Sequence, residues 1–409
     1  MTTLSYVRRS GRILQRLQTY KHNACNLRVF LRSESSFVPK RVLIVKKLSR
    51  YHFEKLREPD LNEEQLKMKL QERGSDYELM MASHIATIAV KDEVIKYLKK
   101  MNIEYRVINR ANLDIANFDW ADLVLPIGGD GTFLLASNLI FDNKKPIIGI
   151  NSFPERSEGF LLLPPKYTKR IPEIFEMLKA GHYNVLMRRR IRTTIIGDDI
   201  WNPPFHAHEK GRVTGCEKFY TEAVKKGAPN LPKERRLPWL ALNEVFIAEI
   251  LSARTSALLI KVDDEPDYRL VKSSGICVST GTGSTSWYKS INSVNPQIVH
   301  EILNLVNKKG QFSNEEIDKI CSTFNESLQV NADELKICYS IRDMIVTNIW
   351  PVPKTMQTRG FCNKLIVRSQ CYDAGLVVDG GIAVPFNFGT TAVLETHPED
   401  SLRSFTLPA

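Results

Sequence analysis

The sequence holds seven cysteines, odd in number and with no Cys-x-x-Cys pair, which argues against a disulfide framework or a thiolate zinc site. It has no apolar run near the ~20 residues that a bilayer-spanning helix needs, so no stable membrane association is expected. There is no internal repeat and no low-complexity tract. Only one of the eight histidines has a close histidine neighbour, His206 with His208 in "FHAH". A spacing of two on a loop reads as solvent-facing rather than as a metal site.

One absence is local. Residues 1–33 carry seven basic residues (Arg8, Arg9, Arg12, Arg16, Lys21, Arg28 and Arg32) and no acid. Removing those seven leaves 50 basic against 46 acidic residues, so most of the formal charge of +11 sits on this arm. The nearly balanced body argues against nucleic-acid binding. Arg-rich, acid-free composition, with Val7, Ile13, Leu14 and Leu17 able to share a helix face, reads as a mitochondrial transit peptide. A disordered arm that binds anionic surfaces is the alternative.

What remains is of ordinary globular composition, and 409 residues suggest two domains. "KRVLIVKKL" (40–48) and "EYRVI" (104–108) read as strands, and 52–73 and 84–100 as helices. "DLVLPI" (122–127) and "PIIGIN" (146–151) are continuous apolar runs of the kind buried in a parallel sheet. Residues 132–141 and 167–181 are expected to be helical. Strands alternating with helices imply an open, mostly parallel α/β sheet. From 184 onward strands follow one another (184–197, 239–249, 255–262, 268–280, 343–348, 364–369, 374–384), implying a β-rich domain. The expected division is 1–38 for the basic arm, 39–183 for the α/β domain and 184–385 for the β-rich domain. The last is interrupted by 201–238 and by 296–326, the latter read as two helices. A tail, 386–409, could return to the first domain.

The chemistry starts at Gly128-Gly129-Asp130-Gly131-Thr132, between a buried strand and a helix. Ligands of open α/β sheets bind at that edge. Gly128, Gly129, Gly131 and Thr132 read as a phosphate cradle against the helix start. Asp130 is repulsive to phosphate, and makes sense facing a hydroxyl that must lose its proton or a metal carried by a nucleotide. The plainer alternative is an Asp N-cap of the following helix.

Companions lie elsewhere. Asn151 in "GINSFPERSEGFLLLP" falls on the same sheet edge. "LALNEVFIAE" sets Asn243 and Glu244 inside an apolar strand, where polar groups need partners, and ligand hydroxyls would serve. "SSGICVSTGTGSTSWYKS" runs from a strand into a turn whose Thr282, Ser284, Thr285, Ser286 and Ser290 offer hydroxyls. In "GLVVDGGIAVPF" the Asp379-Gly380 pair signals a hairpin turn.

In this order the motifs GGDGT, GIN…GFL, NE, S-T-x-T-G-S-T and a DG hairpin resemble the NAD kinase family, over roughly residues 40–400. "PERSEGFLLLP" and "TGTGS" look most like its animal mitochondrial branch. The resemblance implies an NAD kinase/diacylglycerol kinase-like fold. It also implies transfer of the terminal phosphate of ATP, in some members of inorganic polyphosphate, to the 2′-hydroxyl of the adenosine ribose of NAD. Asp130 then matches the catalytic aspartate, with Mg²⁺ carried by ATP and no metal bound by the protein itself. Asn243 and Glu244 match the pair on the nicotinamide-side ribose, and Asn151, Thr282, Ser284, Thr285, Ser286 and Ser290 fall in the remaining NAD contacts. A homodimer in the mitochondrial matrix is implied as well. Three departures stand out. Gly281 replaces a common proline and Trp287 a tyrosine, with Trp287 still able to stack on a ring. Ser274 stands where the family has an aspartate. The expanded "SFPERSEGFLLL" leaves Glu155 and Arg156 without a family role. A lipid kinase with the same turn, or a catalytically weak NAD(H)- or NADP-binding protein, are the competing readings.

Overall fold

The computed structural model describes residues 36–198, 200–202, 204–206, 231–306, 312–348 and 357–408. The basic arm to Ser35 and residues 207–230, with His208, lie outside the described residues.

Strands β1 (Arg41–Lys46), β2 (Glu104–Ile108), β3 (Leu123–Gly128) and β4 (Ile150–Asn151) form a parallel sheet in the order β2-β1-β3-β4. β1 and β3 are buried on both faces, which is why they read as unbroken apolar runs. Six helices accompany this sheet: α1 (Arg50–Arg57), α2 (Glu63–Glu72), α3 (Tyr77–Lys100), α4 (Ile115–Trp120), α5 (Asp130–Ser137) and α6 (Ile171–Ala180). Val42 and Ile44 pack with Val90, Val94 and Leu98 of α3 and Ile174 and Leu178 of α6. Leu43 and Val45 face the other way, toward Phe118 of α4 and Phe133 of α5. Each such fully buried aliphatic side chain contributes about 1.5–3 kcal/mol.

Two expectations change for stated reasons. The helical stretch 52–73 is two helices: Pro59 intervenes, and Asn62 opens α2 with a capping box to Gln65. The strand expected over 146–151 is a single bridge at Ile147 followed by β4. Val124 still pairs there, accepting the Ile148 amide at 3.1 Å. Two residues on, Pro126 has no N–H to offer, and regular pairing resumes only at Ile150.

The remaining strands are antiparallel. One six-stranded sheet runs Arg269–Ser273, Ser256–Val262, Lys364–Ser369, Thr391–Thr396, Ile191–Ile196 and Glu234–Arg236. A seven-stranded sheet runs Arg359–Cys362, Ile337–Ile341, Ile276–Ser279, Glu244–Glu249, Ala374–Val378, Ile382–Pro385 and Phe205–His206. The segment 268–280 is thus two strands in different sheets, broken at Ser274-Gly275, where φ is +119° at the glycine. The strand expected at 343–348 lies earlier, at Ile337–Ile341, and Asp343 in the left-handed region (φ +49°) turns the chain beyond it. Residues 296–326 contain helices Pro296–Leu305 and Asn314–Glu326.

The two sheet systems share one core. The cluster around Val45, Phe118 and Phe133 continues into Ile191, Leu242, Val245 and Leu376. The C-terminal strand Leu402–Thr406 pairs with β5 (Asn184–Arg188), and its Arg403 and Phe405 exchange backbone bonds with Ile147 at the α/β sheet. Arg190, fully buried just after β5, ties the crossing together. It donates to the carbonyls of Asp400 (2.7 Å), Ser137 (3.2 Å) and Ile140 (2.5 Å).

Candidate active site

The glycine turn lies where β3 ends. A Cβ on Gly128 would stand 2.4 Å from Thr132 Oγ1, so the strand end and the helix start touch there and only hydrogen fits. A Cβ on Gly131 would meet nothing within 4 Å: that position faces open space. Thr132 is buried, and its amide is held by the Gly129 carbonyl at 2.9 Å.

Asp130 is the first residue of α5, and the cap position belongs to Gly129, which makes no side-chain capping bond. The carboxylate reaches across to another segment. It accepts the amides of Leu161 (2.9 Å, Oδ1) and Phe160 (3.2 Å, Oδ2), from the loop that follows β4. An ionised carboxylate accepts about four hydrogen bonds, so two amides orient it and leave lone pairs for a further partner. The N-cap alternative is therefore not what this side chain does.

Beside the turn opens a cleft of about 240 Å³, lined by Gly128 and Gly129 and by Lys47, Arg50, Ser83, Ser152 and Arg156. Its lining includes three cations and no carboxylate. Burial lowers the Lys47 ammonium's pKa, and its one printed bond is a long one, 3.5 Å to Ser83 Oγ. Asn151 also lines the cleft, but its side chain is occupied locally: Nδ2 donates to Ser157 O (3.0 Å) and Oδ1 accepts the Phe153 amide (3.1 Å).

On the β-rich side, Asn243 and Glu244 begin a strand of the seven-stranded sheet and are almost fully buried. Asn243 Oδ1 and Glu244 Oε2 have no hydrogen-bond partner, an arrangement that costs free energy unless a ligand completes it. Burial, reinforced by the nearby Asp379 carboxylate, pushes the Glu244 carboxyl up to about 8. The Asp379-Gly380 pair makes a hairpin turn, with φ +47° and +64°, and it does more than turn the chain. The Asp379 carboxylate accepts the amides of Leu242 (2.9 Å), Asn243 (2.7 Å) and Glu244 (3.2 Å), so it sets the backbone that carries the orphaned oxygens. Its own carboxyl is pushed up to about 6 by enclosure, against the pull of those amides and of Asn138 at the end of α5.

The Gly/Ser/Thr turn packs directly on this pair. Thr280 donates its amide to Asn243 O (2.9 Å), and a Cβ on Gly283 would stand 2.1 Å from that same oxygen. A Cβ on Gly281 would fall 1.7 Å from Asn331 O, which explains why no proline stands there. Ser284 is occupied, donating to Gly281 O (2.6 Å) and accepting the Val330 amide (2.9 Å). Thr285 donates to Thr282 O (3.3 Å), while Ser286 and Ser290 are exposed, Ser290 donating to Ser286 O (3.4 Å). Trp287 already stacks on Phe246, ring centroids 4.1 Å apart, so one of its faces is taken. Near Ser274, whose amide donates to Arg342 O, the adjoining carboxylate is Asp343, paired with Arg342 at 3.3 Å.

Arg188, at the end of β5, links the two halves and was not singled out from sequence. It is buried, its Nη1 lies 3.5 Å from Thr282 Oγ1, and its Nε has no partner. Burial pulls the guanidinium down to about 10, while the Asp130 carboxylate holds it up, so the two charges face each other. The available signal was the run "MRRRIR" in a segment otherwise patterned as a strand.

A family model described as the ATP-NAD kinase N-terminal domain matches residues 48–154. The mitochondrial NAD kinase 2 of Homo sapiens is 39% identical over 389 residues, covering 92% of this chain and 86% of that protein. The mitochondrial NAD kinase 2 of Rattus norvegicus is 38% identical, covering 92% and 89%. That of Xenopus tropicalis is 34% identical, covering 92% and 93%.

Proposed function

The chain belongs to the NAD kinase family and is an enzyme of that kind, and we propose that it moves the terminal phosphate of ATP onto the 2′-hydroxyl of the adenosine ribose of NAD. The observation that carries this reading is the contrast of two edges around Asp130. One, at Gly128–Gly129, offers cations and hydrogen-bond donors to a polyanion. The other, at Asn243 and Glu244, holds buried acceptors waiting for hydroxyl donors.

In this mechanism Asn243 and Glu244 accept from the hydroxyls of the nicotinamide-side ribose. Thr282, Thr285, Ser286 and Ser290 meet the rest of the dinucleotide. Asp130, steadied by two amides, holds the 2′-oxygen in line and takes its proton late. A carboxylate is a weak base for a sugar hydroxyl, and that suffices, because phosphoryl transfer depends on positioning and charge neutralisation. Arg188, with its free Nε beside Asp130, takes up charge on the moving phosphoryl. The cleft's cationic lining suits phosphates and not a metal cage, so Mg²⁺ comes with the nucleotide and neutralises its phosphate chain. Inorganic polyphosphate offers the same anionic chain and is a second candidate donor. The arm 1–38 is read as a transit peptide that delivers the enzyme to the mitochondrial matrix, in line with the names of its relatives, and the working form as a homodimer.

Incubating purified protein with NAD, Mg²⁺ and either ATP or polyphosphate, then assaying NADP, tests the reading. NADP formation is expected; no NADP with either donor would overturn it.

A further inference from the structure

The loop between β4 and Leu161 carries Arg156, which no motif explains. It is built rigidly. Asn151 holds it from inside, Arg156 N donates to Phe153 O at 3.1 Å, and a Cβ on Gly129 would touch Ser157 Oγ at 3.1 Å. The loop therefore lies over the glycine turn, and its far end supplies the two amides that orient Asp130. Arg156 is exposed to solvent and lines the same cleft as Lys47 and Arg50. Among the described residues neither Lys47 nor Arg156 forms an ion pair, whereas Arg50 is held by Glu54 at 2.7 Å. Every residue of the cleft comes from the α/β part, none from the strand of Asn243 and Glu244.

We propose that Arg156, together with Lys47, grips the phosphate chain of the donor, so that the Ser152–Gly159 loop clamps the donor and positions Asp130 at once. This rests on the kinase reading above. A guanidinium matches phosphate oxygens two at a time, which an ammonium does not, so Arg156 fixes the chain's orientation as well as its charge.

Arg156→Gln is expected to raise the KM for ATP about tenfold or more, with the KM for NAD little changed. Arg156→Lys recovers part of the loss, and Glu155→Gln, on the same loop but outside the cleft, changes neither constant. Thermal stabilisation by inorganic tripolyphosphate with Mg²⁺ reads the grip without turnover: present in the wild type, largely lost in Arg156→Gln. Repeating the kinetics with polyphosphate separates two sources. A matching rise in KM assigns the grip to the chain common to both donors, and a rise with ATP alone assigns it to the nucleotide. An unchanged KM for ATP together with an equal tripolyphosphate shift in both proteins, or no shift in the wild type, overturns the clamp. A wild type that makes no NADP but still shows the Arg156-dependent shift overturns the kinase reading and leaves the clamp standing.

Discussion

The two edges that meet at Asp130 are opposites. The α/β edge is open and rich in donors: two glycines, a helix start, Lys47 and Arg156. The β-rich edge is closed and rich in acceptors: Asn243 Oδ1 and Glu244 Oε2, buried and unpartnered, on a backbone pinned by Asp379. A polyanion fits the first and is repelled by the second. A sugar's hydroxyls fit the second. Asp130 and Arg188, one charge of each sign, stand where the two meet.

Four substitutions or conditions sharpen or break that contrast. Asp130→Asn, at the junction, should cut turnover by about 10²–10⁴-fold. A dissociation constant for NAD that stays nearly unchanged, read by calorimetry, would confirm that both edges remain intact. Arg188→Met should cut turnover by about 10²-fold, the scale of losing one donor to developing charge. If its main effect falls instead on the KM for NAD, Arg188 belongs to the β-rich edge alone. Glu244→Gln should raise the KM for NAD by about tenfold, with the KM for ATP unaffected, since one charge-assisted hydrogen bond weakens. Equal changes in both constants would erase the division between the edges.

The smallest effect is on stability. Glu244 keeps its proton up to about pH 8 in the folded protein, against 4.5 ordinarily. Between those values the unfolded chain has released a proton that the folded one still holds. Stability contributed by that proton is therefore complete below pH 4.5 and lost as pH rises through about 8. Glutamine has no proton to lose. The melting temperature of Glu244→Gln, measured in the absence of ligand, should therefore gain on that of the wild type by a few degrees between pH 5 and pH 8.5. A constant difference across that range would mean that Glu244 is ionised throughout.

What could be read beforehand was what is local. β3 announces itself because a strand covered on both faces is apolar without interruption, and the glycines beside it mark a close turn. Asn243 and Glu244 stand out because polar residues inside an apolar strand demand a reason. The rest depended on partners distant in sequence. Arg188 matters only because β5 pairs with Leu402–Thr406 and its side chain lies near Thr282. Asp379 reads as a turn residue, and its grip on three amides some 135 residues earlier cannot be seen in "VVDGG". Asn151 lies on the expected sheet edge, yet its side chain serves the neighbouring loop, because Ser157 and Phe153 fold back onto it. Pro126 carried a warning that its strand would pair imperfectly, and the broken pairing at 146–151 is the result.

The most direct measurement is a structure of the protein with NAD bound. The account predicts an Asp130 carboxylate oxygen about 2.6–3.2 Å from the 2′-oxygen of the adenosine ribose. It also predicts the other ribose's hydroxyls on Asn243 and Glu244. An Asp130 that stays bonded only to Phe160 and Leu161, with the 2′-hydroxyl directed elsewhere, would contradict it.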